Sequence, residues 1–588
     1  MDTIEQDESK KRDLRLLRRL LPFLRNHIFL ALVTLSFMLI WDISGVIYPY
    51  LVKLGIDRDI MKHDLIGLQY TALLLLVVLA VSFIFQVLFN YAVQYLGQRI
   101  LLDLRMDLFK HMVYLSNDYF DKTSVGSTLT NITNDVEAIR EFISEGVVSV
   151  AGELLKVGFI LVAMVMVNVK LALLTFIMIP FFILVTIIFR RSIRSGYRGV
   201  RKSNAQINTI LQESITGIRE IIQFNYKDKS RLHFGDSNRS YLKSFLEVVH
   251  AYSLYFPVIE VVANMCMALI FIFAHKKLGV SLHVGEIFAF FTYINMFFRP
   301  LRELAEQFNT FQSAMAAAER TFKLLDQPVT IKEPSDPYPV TQKLTGKITF
   351  KNVHFSYKPG VPVLQDVSFE IQPGEKVALV GYTGSGKTTI IKLINRFYDI
   401  QSGSILIDDI PINRYPLLEL RSHIATVPQD PFIFTGTVAE NISMHDPLIS
   451  PEQIKEAAQQ VYADDFIEKL SAHYDENVLE EGKRLSVGQK QLLSFARGIV
   501  RRPGLLILDE ATSNIDSSTE KLIEAAIENV LKGRTSIIIA HRLSTIRKAD
   551  RILVFSKGRL VEEGTHTQLI EKQGIYSKLY HTQAISLN

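Results

Sequence analysis

Cysteine is almost missing. One residue, Cys266, stands among 588, so no disulfide can form within the chain and the redox compartment stays open. Cys266 lies in an apolar run, where plain packing is the expected role. A charge imbalance is missing too: 65 Lys and Arg against 60 Asp and Glu leave +5, and bulk electrostatics names no partner. A secretory signal is not expected, because the first 27 residues are too charged to supply an apolar core. What the chain has in quantity is apolar surface. It is 48% hydrophobic with a mean hydropathy of +0.19, high for a wholly soluble protein, and it is long enough for several domains.

Residues 1–27 predict an interfacial helix. Leu14, Leu17, Leu21 and Leu24 recur at helical spacing, and Arg15, Arg18, Arg19 and Arg25 surround them, which suits a helix lying among headgroups. Six runs then read as membrane spans, at about 29–52, 68–97, 143–167, 171–190, 248–274 and 280–298. The third and fourth are parted only by Asn168, Val169 and Lys170, which requires a tight helical hairpin. Basic residues set the orientation. They crowd the N-terminus, the loop after the second span (Arg99, Arg105, Lys110, Lys122, Arg140) and the loop after the fourth (Arg190 through Lys243). These segments and the C-terminal half are therefore expected in the cytoplasm of a multi-pass protein of the inner or plasma membrane. Both long loops carry helix-like patterning, with tips expected at Asn117–Asp121 and Ser214–Arg219.

Several polar residues sit inside the spans. Gln86, Asn90, Gln94 and Gln98 recur every fourth residue, one stripe that either glues helices together or lines a wet cavity. Asp42, Glu153, Lys156 and Glu260 also lie at depth; Glu153 and Lys156, three apart, are expected to pair. The sharper reading places Asp42, Gln86, Asn90, Gln94, Glu153 and Glu260 along a substrate cavity.

Residues 323–345, rich in proline, read as a linker between a membrane domain (28–322) and a nucleotide-binding domain (346–588). In the latter, the buried strand Val377–Val380 runs into Gly381-Tyr382-Thr383-Gly384-Ser385-Gly386-Lys387-Thr388, a complete phosphate loop followed by Thr389. Its glycines let successive N–H groups face one anion, and the next helix adds its positive end. Lys387 is expected on the β- and γ-phosphates and Thr388 on magnesium. Leu505–Glu510 is an apolar strand ending in two acids. Asp509 at the sheet edge is expected on magnesium, and Glu510 as the base that polarises the attacking water.

With these motifs in place the chain resembles the ATP-binding cassette (ABC) family along nearly its whole length. The family's LSGGQ signature reads Leu485-Ser486-Val487-Gly488-Gln489 here. The resemblance implies further roles. Gln429 in Val427-Pro428-Gln429-Asp430 would sense magnesium, and His541 in Ala540-His541-Arg542 would hold the γ-phosphate. Tyr357 in Phe355-Ser356-Tyr357 would stack on adenine, and Asp516 in Ser513-Asn514-Ile515-Asp516 would lie in the loop joining two sites across a dimer. Ser486, Gly488 and Gln489 would cap the nucleotide of the other subunit. Residues 479–481, Leu-Glu-Glu, depart from the family's Gly-Glu-Arg, and Val487 stands where glycine is usual.

The fold class expected is thus a membrane all-α domain of six transmembrane helices with long cytoplasmic extensions, plus a C-terminal α/β P-loop NTPase domain. By resemblance it is an exporter-type half-transporter using ATP and Mg2+. The loop tips, 116–122 and 214–221, would dock on the cassettes, the second on the partner's. Cargo would be a drug-like compound or a lipid. The alternatives are an ATP-gated channel or regulatory membrane ATPase, and a lipid flippase rather than multidrug efflux. Six spans argue against a soluble ATPase of the chromosome or repair type, and no nucleic-acid partner is expected. No protease domain fits in the first 27 residues, against a peptidase-bearing peptide exporter. The dimer partner is open between a second copy and a homologous subunit, with Val487 tilting the reading to the heterodimer.

Overall fold

The computed structural model describes residues 2–276, 283–339, 344–509, 517–539 and 543–585. The chain divides into two units. The first holds residues 1–113 and 126–326, and the second holds 114–125 and 327–588.

The first unit is helical: α1 (Asp2–Arg25), α2 (Ile28–Leu54) and α3 (Leu65–Tyr114), then, beyond a short α4 (Asn117–Lys122) assigned to the second unit, α5 (Val125–Thr130), α6 (Val136–Glu141), α7 (Val148–Val167), α8 (Val169–Thr216), α9 (Ile218–Gln223), α10 (Lys227–Lys276) and α11 (Val284–Leu325). Among the described residues, five helical stretches are long and apolar enough to cross a membrane. The expected sixth span begins outside the described residues; its apolar part, Val284–Phe297, opens α11. A 50-residue α3 rises about 75 Å, against about 30 Å of hydrocarbon, so each long helix carries a span and a long extension in one rod. α11 continues to Leu325, so the first three residues of the expected linker are helical.

Local chemistry explains the turns. Asn168, extended at φ −164°, accepts from the N–H groups of Lys170 and Leu171, capping α8 at once and making the α7–α8 hairpin tight. Near that hairpin Glu286 receives Lys53 (3.5 Å) and the Asn168 amide (3.4 Å), while Asp57 accepts from Gly285 N–H (2.6 Å). The ends of α2, α7 and α11 are thereby joined by polar groups. Between them, Val46, Ile160, Met164, Phe182, Tyr255, Phe290 and Tyr293 form an apolar core that includes Cys266, 1% exposed, a packing residue as expected. Tyr293 donates its hydroxyl to Val46 O (2.9 Å), the buried partner an aromatic hydroxyl needs.

α1 buries Leu16 and Leu20, and leaves Leu14 and Leu21 of the interfacial stripe exposed. Arg19, expected among headgroups, forks onto Asp326 with both bonds at 2.7 Å. Lys156, which stands three residues after Glu153, reaches Asp42 of α2 (3.5 Å) and lies over the Trp41 ring.

The second unit holds two sheets. One has order β2-β1-β4-β5, antiparallel, from β1 (Ile348–Phe355), β2 (Leu364–Ile371), β4 (Ser402–Ile407) and β5 (Ile410–Pro411). The other has order β10-β9-β3-β8-β7-β6, from β3 (Lys376–Gly381), β6 (Ile424–Val427), β7 (Leu505–Asp509), β8 (Thr535–Ile539), β9 (Arg551–Ser556) and β10 (Arg559–Gly564). All its pairings are parallel except β9–β10. β7 and β8 are apolar runs buried almost throughout, as strands covered on both faces must be.

A nucleotide site at one sheet edge, and its two neighbours

Parallel strands share the edge at which they end. β3 ends in the phosphate loop, β7 in Asp509, and β6 two residues before Gln429. Register makes this quantitative. Leu379 of β3 is level with Ile539 of β8, and Ile539 is level with Asp509 of β7. Two strand spacings of about 4.8 Å put Asp509 roughly 10 Å across the sheet from β3, close enough for its charge to act on a lysine of the loop.

The loop itself is shaped by glycine. Gly384 and Gly386 have φ of +79° and +103°, in the left-handed region, and Gly386 leads directly into α12 (Lys387–Ile394). A Cβ on Gly386 would lie 2.6 Å from Leu364. Lys387 is buried and donates to the carbonyls of Gly381 (2.8 Å) and Tyr382 (3.1 Å). Burial pulls its ammonium below the usual lysine range, and Asp509 opposes that fall. Ser385 Oγ is buried with no hydrogen-bond partner among the described residues. A buried orphan hydroxyl beside a buried ammonium and a helix start is a site made for an anion. Thr383 and Thr388 are exposed and Thr389 is buried, with its hydroxyl 3.1 Å from that of Tyr357. Gln429 is exposed. Glu510, Asp516 and His541 lie outside the described residues.

The signature segment is a helix start. Ser486 caps the helix Val487–Ile499: its hydroxyl accepts from Gln489 N–H (3.2 Å), and Gln489 Oε1 accepts from Ser486 N–H (2.9 Å). Gly488 is buried, and Val487 is the first helical residue with its side chain 56% exposed. The same helix carries Arg497, which donates to the carbonyls of Asn441 (2.8 Å) and Phe432 (2.9 Å). Phe432 belongs to a groove of about 540 Å³ that Phe434, Met444, Glu480 and Glu481 also line. Whatever presses on this groove therefore acts one hydrogen bond away from the signature helix.

The second neighbour was not legible in the motifs. Tyr357 packs edge-on against Tyr398 (5.1 Å), whose hydroxyl donates to Asp121 of α4. Lys392 adds an ion pair to Asp121 (3.4 Å) and lies over both tyrosine rings. Burial, with Asp121 beside it, pushes the Tyr398 phenol well up. Thus the first loop tip is wired to the expected adenine platform through a tyrosine and a lysine that no motif marks. The only sequence signal is an aromatic in Arg396-Phe397-Tyr398-Asp399, soon after the phosphate-loop helix.

The residues expected along a substrate cavity differ in their burial within the chain. Asp42 is buried on its lysine, Glu153 is half-buried, and Glu260 is exposed on α10. Gln86, Asn90, Gln94 and Gln98 are exposed, while Phe89, Val93 and Leu96 take the buried face of α3. Within the chain the stripe is exposed, and of its members Gln94 accepts from Arg140 of α6 (3.3 Å).

Comparison with known proteins agrees with this geometry. The family model described as ABC transporter transmembrane region matches residues 28–301, and that described as ABC transporter matches 364–513. A probable multidrug resistance ABC transporter ATP-binding/permease protein of Bacillus subtilis is 38% identical over 512 residues, covering 85% of this chain and 75% of its own. An ATP-dependent lipid A-core flippase of Pseudomonas fluorescens is 34% identical over 581 residues, 96% of each chain. Among solved structures, a bacterial Atm1-family ABC exporter with ATP bound superposes with a TM-score of 0.75 at 27% identity, covering 95% of this chain and 98% of the other.

Proposed function

We propose a function grounded in kinship: the chain belongs to the ABC transporter family, as a half-transporter of exporter type that hydrolyses ATP to drive transport and works as a dimer. The cargo we assign is a hydrophobic or amphipathic compound, drug-like or lipid, moved out of the cytoplasm across the inner or plasma membrane. The observation that carries this is the sheet edge where the phosphate loop, Asp509 and the Gln429 segment meet, on a chain whose other unit is membrane-crossing helices.

The roles assigned are those that the motifs and the family resemblance suggest. The N–H groups of Thr383, Gly384, Ser385 and Gly386 and the ammonium of Lys387 hold the phosphates, and Tyr357 takes the adenine. The Ser385 hydroxyl, orphaned in the structure, gains its partner there. Thr388, Asp509 and Gln429 offer oxygen ligands of the kind magnesium takes, and that ion supplies charge neutralisation at the transferred phosphoryl group. Glu510 accepts the proton of the attacking water, and His541 steadies the γ-phosphate. Ser486, Gly488 and Gln489 close on the partner's nucleotide, and Asp516 lies where the two sites meet.

Residues 214–221 of one subunit seat in the partner's groove at Phe432 and Phe434, and Arg497 passes that contact to the signature helix. The partner we assign is a homologous subunit. The exposed Val487 side chain, beside an intact Ser486–Gln489 box, favours a second reading in which two copies suffice. Purification with and without a co-expressed homologue, then sizing and ATPase assay, separates the two.

Glu510→Gln tests the core. Removing a general base costs about 10²–10⁴ in rate, so turnover should fall about that far while nucleotide binding stays. An unchanged ATPase rate in this variant sinks the assignment. Cargo-stimulated hydrolysis with ATP-dependent uptake into inverted vesicles supports export; passive conductance under bound ATP supports a channel instead.

A further inference from the structure

We propose that the outward face of α1 is a docking surface for anionic phospholipid, and that its clamp onto the end of α11 lets membrane charge set the hydrolysis rate. This goes beyond the transport reading and rests on different residues.

α1 has two unlike faces. At about 100° per residue, Leu14, Leu21, Arg25, Arg18, Lys11 and Arg15 fall in one sector of about 120°. Leu14 is 66% and Leu21 57% exposed, and Arg15, Arg18 and Arg25 are exposed with no carboxylate partner among the described residues. Asp13, the one acid between residues 11 and 25, lies outside that sector. Two leucines framed by unpaired guanidiniums match an acyl boundary under a layer of anionic headgroups. The helix's place in the chain fixes the occupant further. Only Asn26 and His27 part α1 from α2, whose first residues, Ile28 and Phe29, are themselves exposed. α1 is thus held where a membrane-crossing helix enters.

The opposite face is spoken for. Leu16 and Leu20 are buried, Arg12 lies 3.5 Å from Glu319, and Arg19 stands over the Phe322 ring while forking onto Asp326. The fork holds the Asp326 carboxyl below its usual range. Asp326 is the C-cap of α11 and the last residue before the segment that leads to the cassette. Seating α1 among headgroups therefore fixes the end of α11, and with it the point from which the cassette is hung.

Trp41 is the chain's single tryptophan, which gives a clean probe. In the full-length dimer carrying Trp41→Phe and Leu21→Trp, fluorescence is quenched by brominated lipid in vesicles of phosphatidylcholine and phosphatidylglycerol in equal parts. Brominated phosphatidylglycerol should quench about two-fold more than brominated phosphatidylcholine, three cations near an anionic surface being favoured well beyond that before salt screens them. In Arg15→Gln/Arg18→Gln/Arg25→Gln the two should quench alike. Equal quenching in the parent, or a preference that survives in the triple variant, overturns the docking surface. Inorganic phosphate added to the same vesicles should leave the preference in place; its loss would assign the arginines to free phosphate instead. For the coupling, the ATPase rate should rise about five-fold from pure phosphatidylcholine to the mixed vesicles, a coupling of ordinary size. Asp326→Asn should keep the quenching preference and lose the rate response. A rate indifferent to lipid charge in the parent, or a response intact in Asp326→Asn, overturns the coupling. Neither readout depends on which cargo is carried.

Discussion

The two long loops are built alike and end differently. Each is an out-and-back pair of helices, and each turns through a short helix, α4 at the first tip and α9 at the second. The first tip is absorbed by its own chain. Residues 114–125 cluster with the cassette, Asp121 holds Tyr398 and Lys392, and Ser116 accepts from the N–H groups of Thr330 and Ile331, both at 3.1 Å. The second tip stays with the helical unit and leaves Ile215 (71%), Ile218 (49%), Ile222 (56%), Phe224 (75%) and Tyr226 (48%) exposed. A cluster of apolar side chains at the end of a rod is costly in water and marks a surface for a partner. One tip is satisfied within the chain, and the other asks for a second one.

The largest effect should come from the unsatisfied tip. Ile218→Asp with Phe224→Asp puts two charges where an apolar contact is needed, and a buried unpaired charge costs several kcal/mol. Transport should fall at least about ten-fold and cargo-stimulated ATPase should vanish, while the melting temperature of the purified chain barely moves, since these residues are exposed on their own subunit. A large loss of stability in the isolated chain would mean that the tip packs within its own subunit, and the contrast between the tips would fail.

A smaller effect is expected at the satisfied tip. Tyr398→Phe removes one hydroxyl and keeps the ring that packs on Tyr357. A hydrogen bond to a charged group is worth about 1.5–3 kcal/mol, but Lys392 still holds Asp121, so the loss should be partial. The KM for ATP should rise several-fold with little change in kcat, because the link runs to the adenine platform and not to the phosphates. Asp121→Asn, which also removes the Lys392 ion pair, should give a larger shift, and the double variant no more than Asp121→Asn alone. Additive losses would break the proposed link.

The strands and the phosphate loop were readable because their signals are local: an apolar run of strand length, then glycines at fixed spacing. The site's assembly followed from parallel order, which puts strand ends at one edge. What the sequence hid was choice between faces and partners. Leu14, Leu17, Leu21 and Leu24 share a helical spacing that does not show which residues meet the protein; those are Leu16 and Leu20, on the side where α11 offers Phe322 and two carboxylates to Arg19 and Arg12. The glutamine stripe of α3 has the period of a seam, but Phe89 and Val93 face Trp41 and Met38 instead. Lys156 meets Asp42 of α2, a contact that no spacing within α7 announces. Val487 stands where the family usually has glycine; at the first helical position its side chain is exposed, and the Ser486–Gln489 cap around it is complete.

The smallest effect contrasts the surroundings of the two tips through the backbone alone. Beside the groove assigned to the second tip, Leu479 has φ +60° and ψ −178°, a conformation open almost only to glycine and costing a side-chain-bearing residue about 1–3 kcal/mol. Beside the first tip, Ser116 is extended and unstrained, its hydroxyl spent on the segment after α11 rather than on capping α4. Leu479→Gly should therefore raise the melting temperature of the cassette, by about 2–4 °C for each kcal/mol of strain that outlasts the extra freedom glycine gives the unfolded chain. Ser116→Ala should lower it by a similar step, having lost an acceptor for two N–H groups. If strain beside the groove is kept because the partner's tip relieves it, Leu479→Gly should also weaken dimer-dependent ATPase while stabilising the single chain. A variant that is more stable and equally active would show that the strain at Leu479 serves no contact.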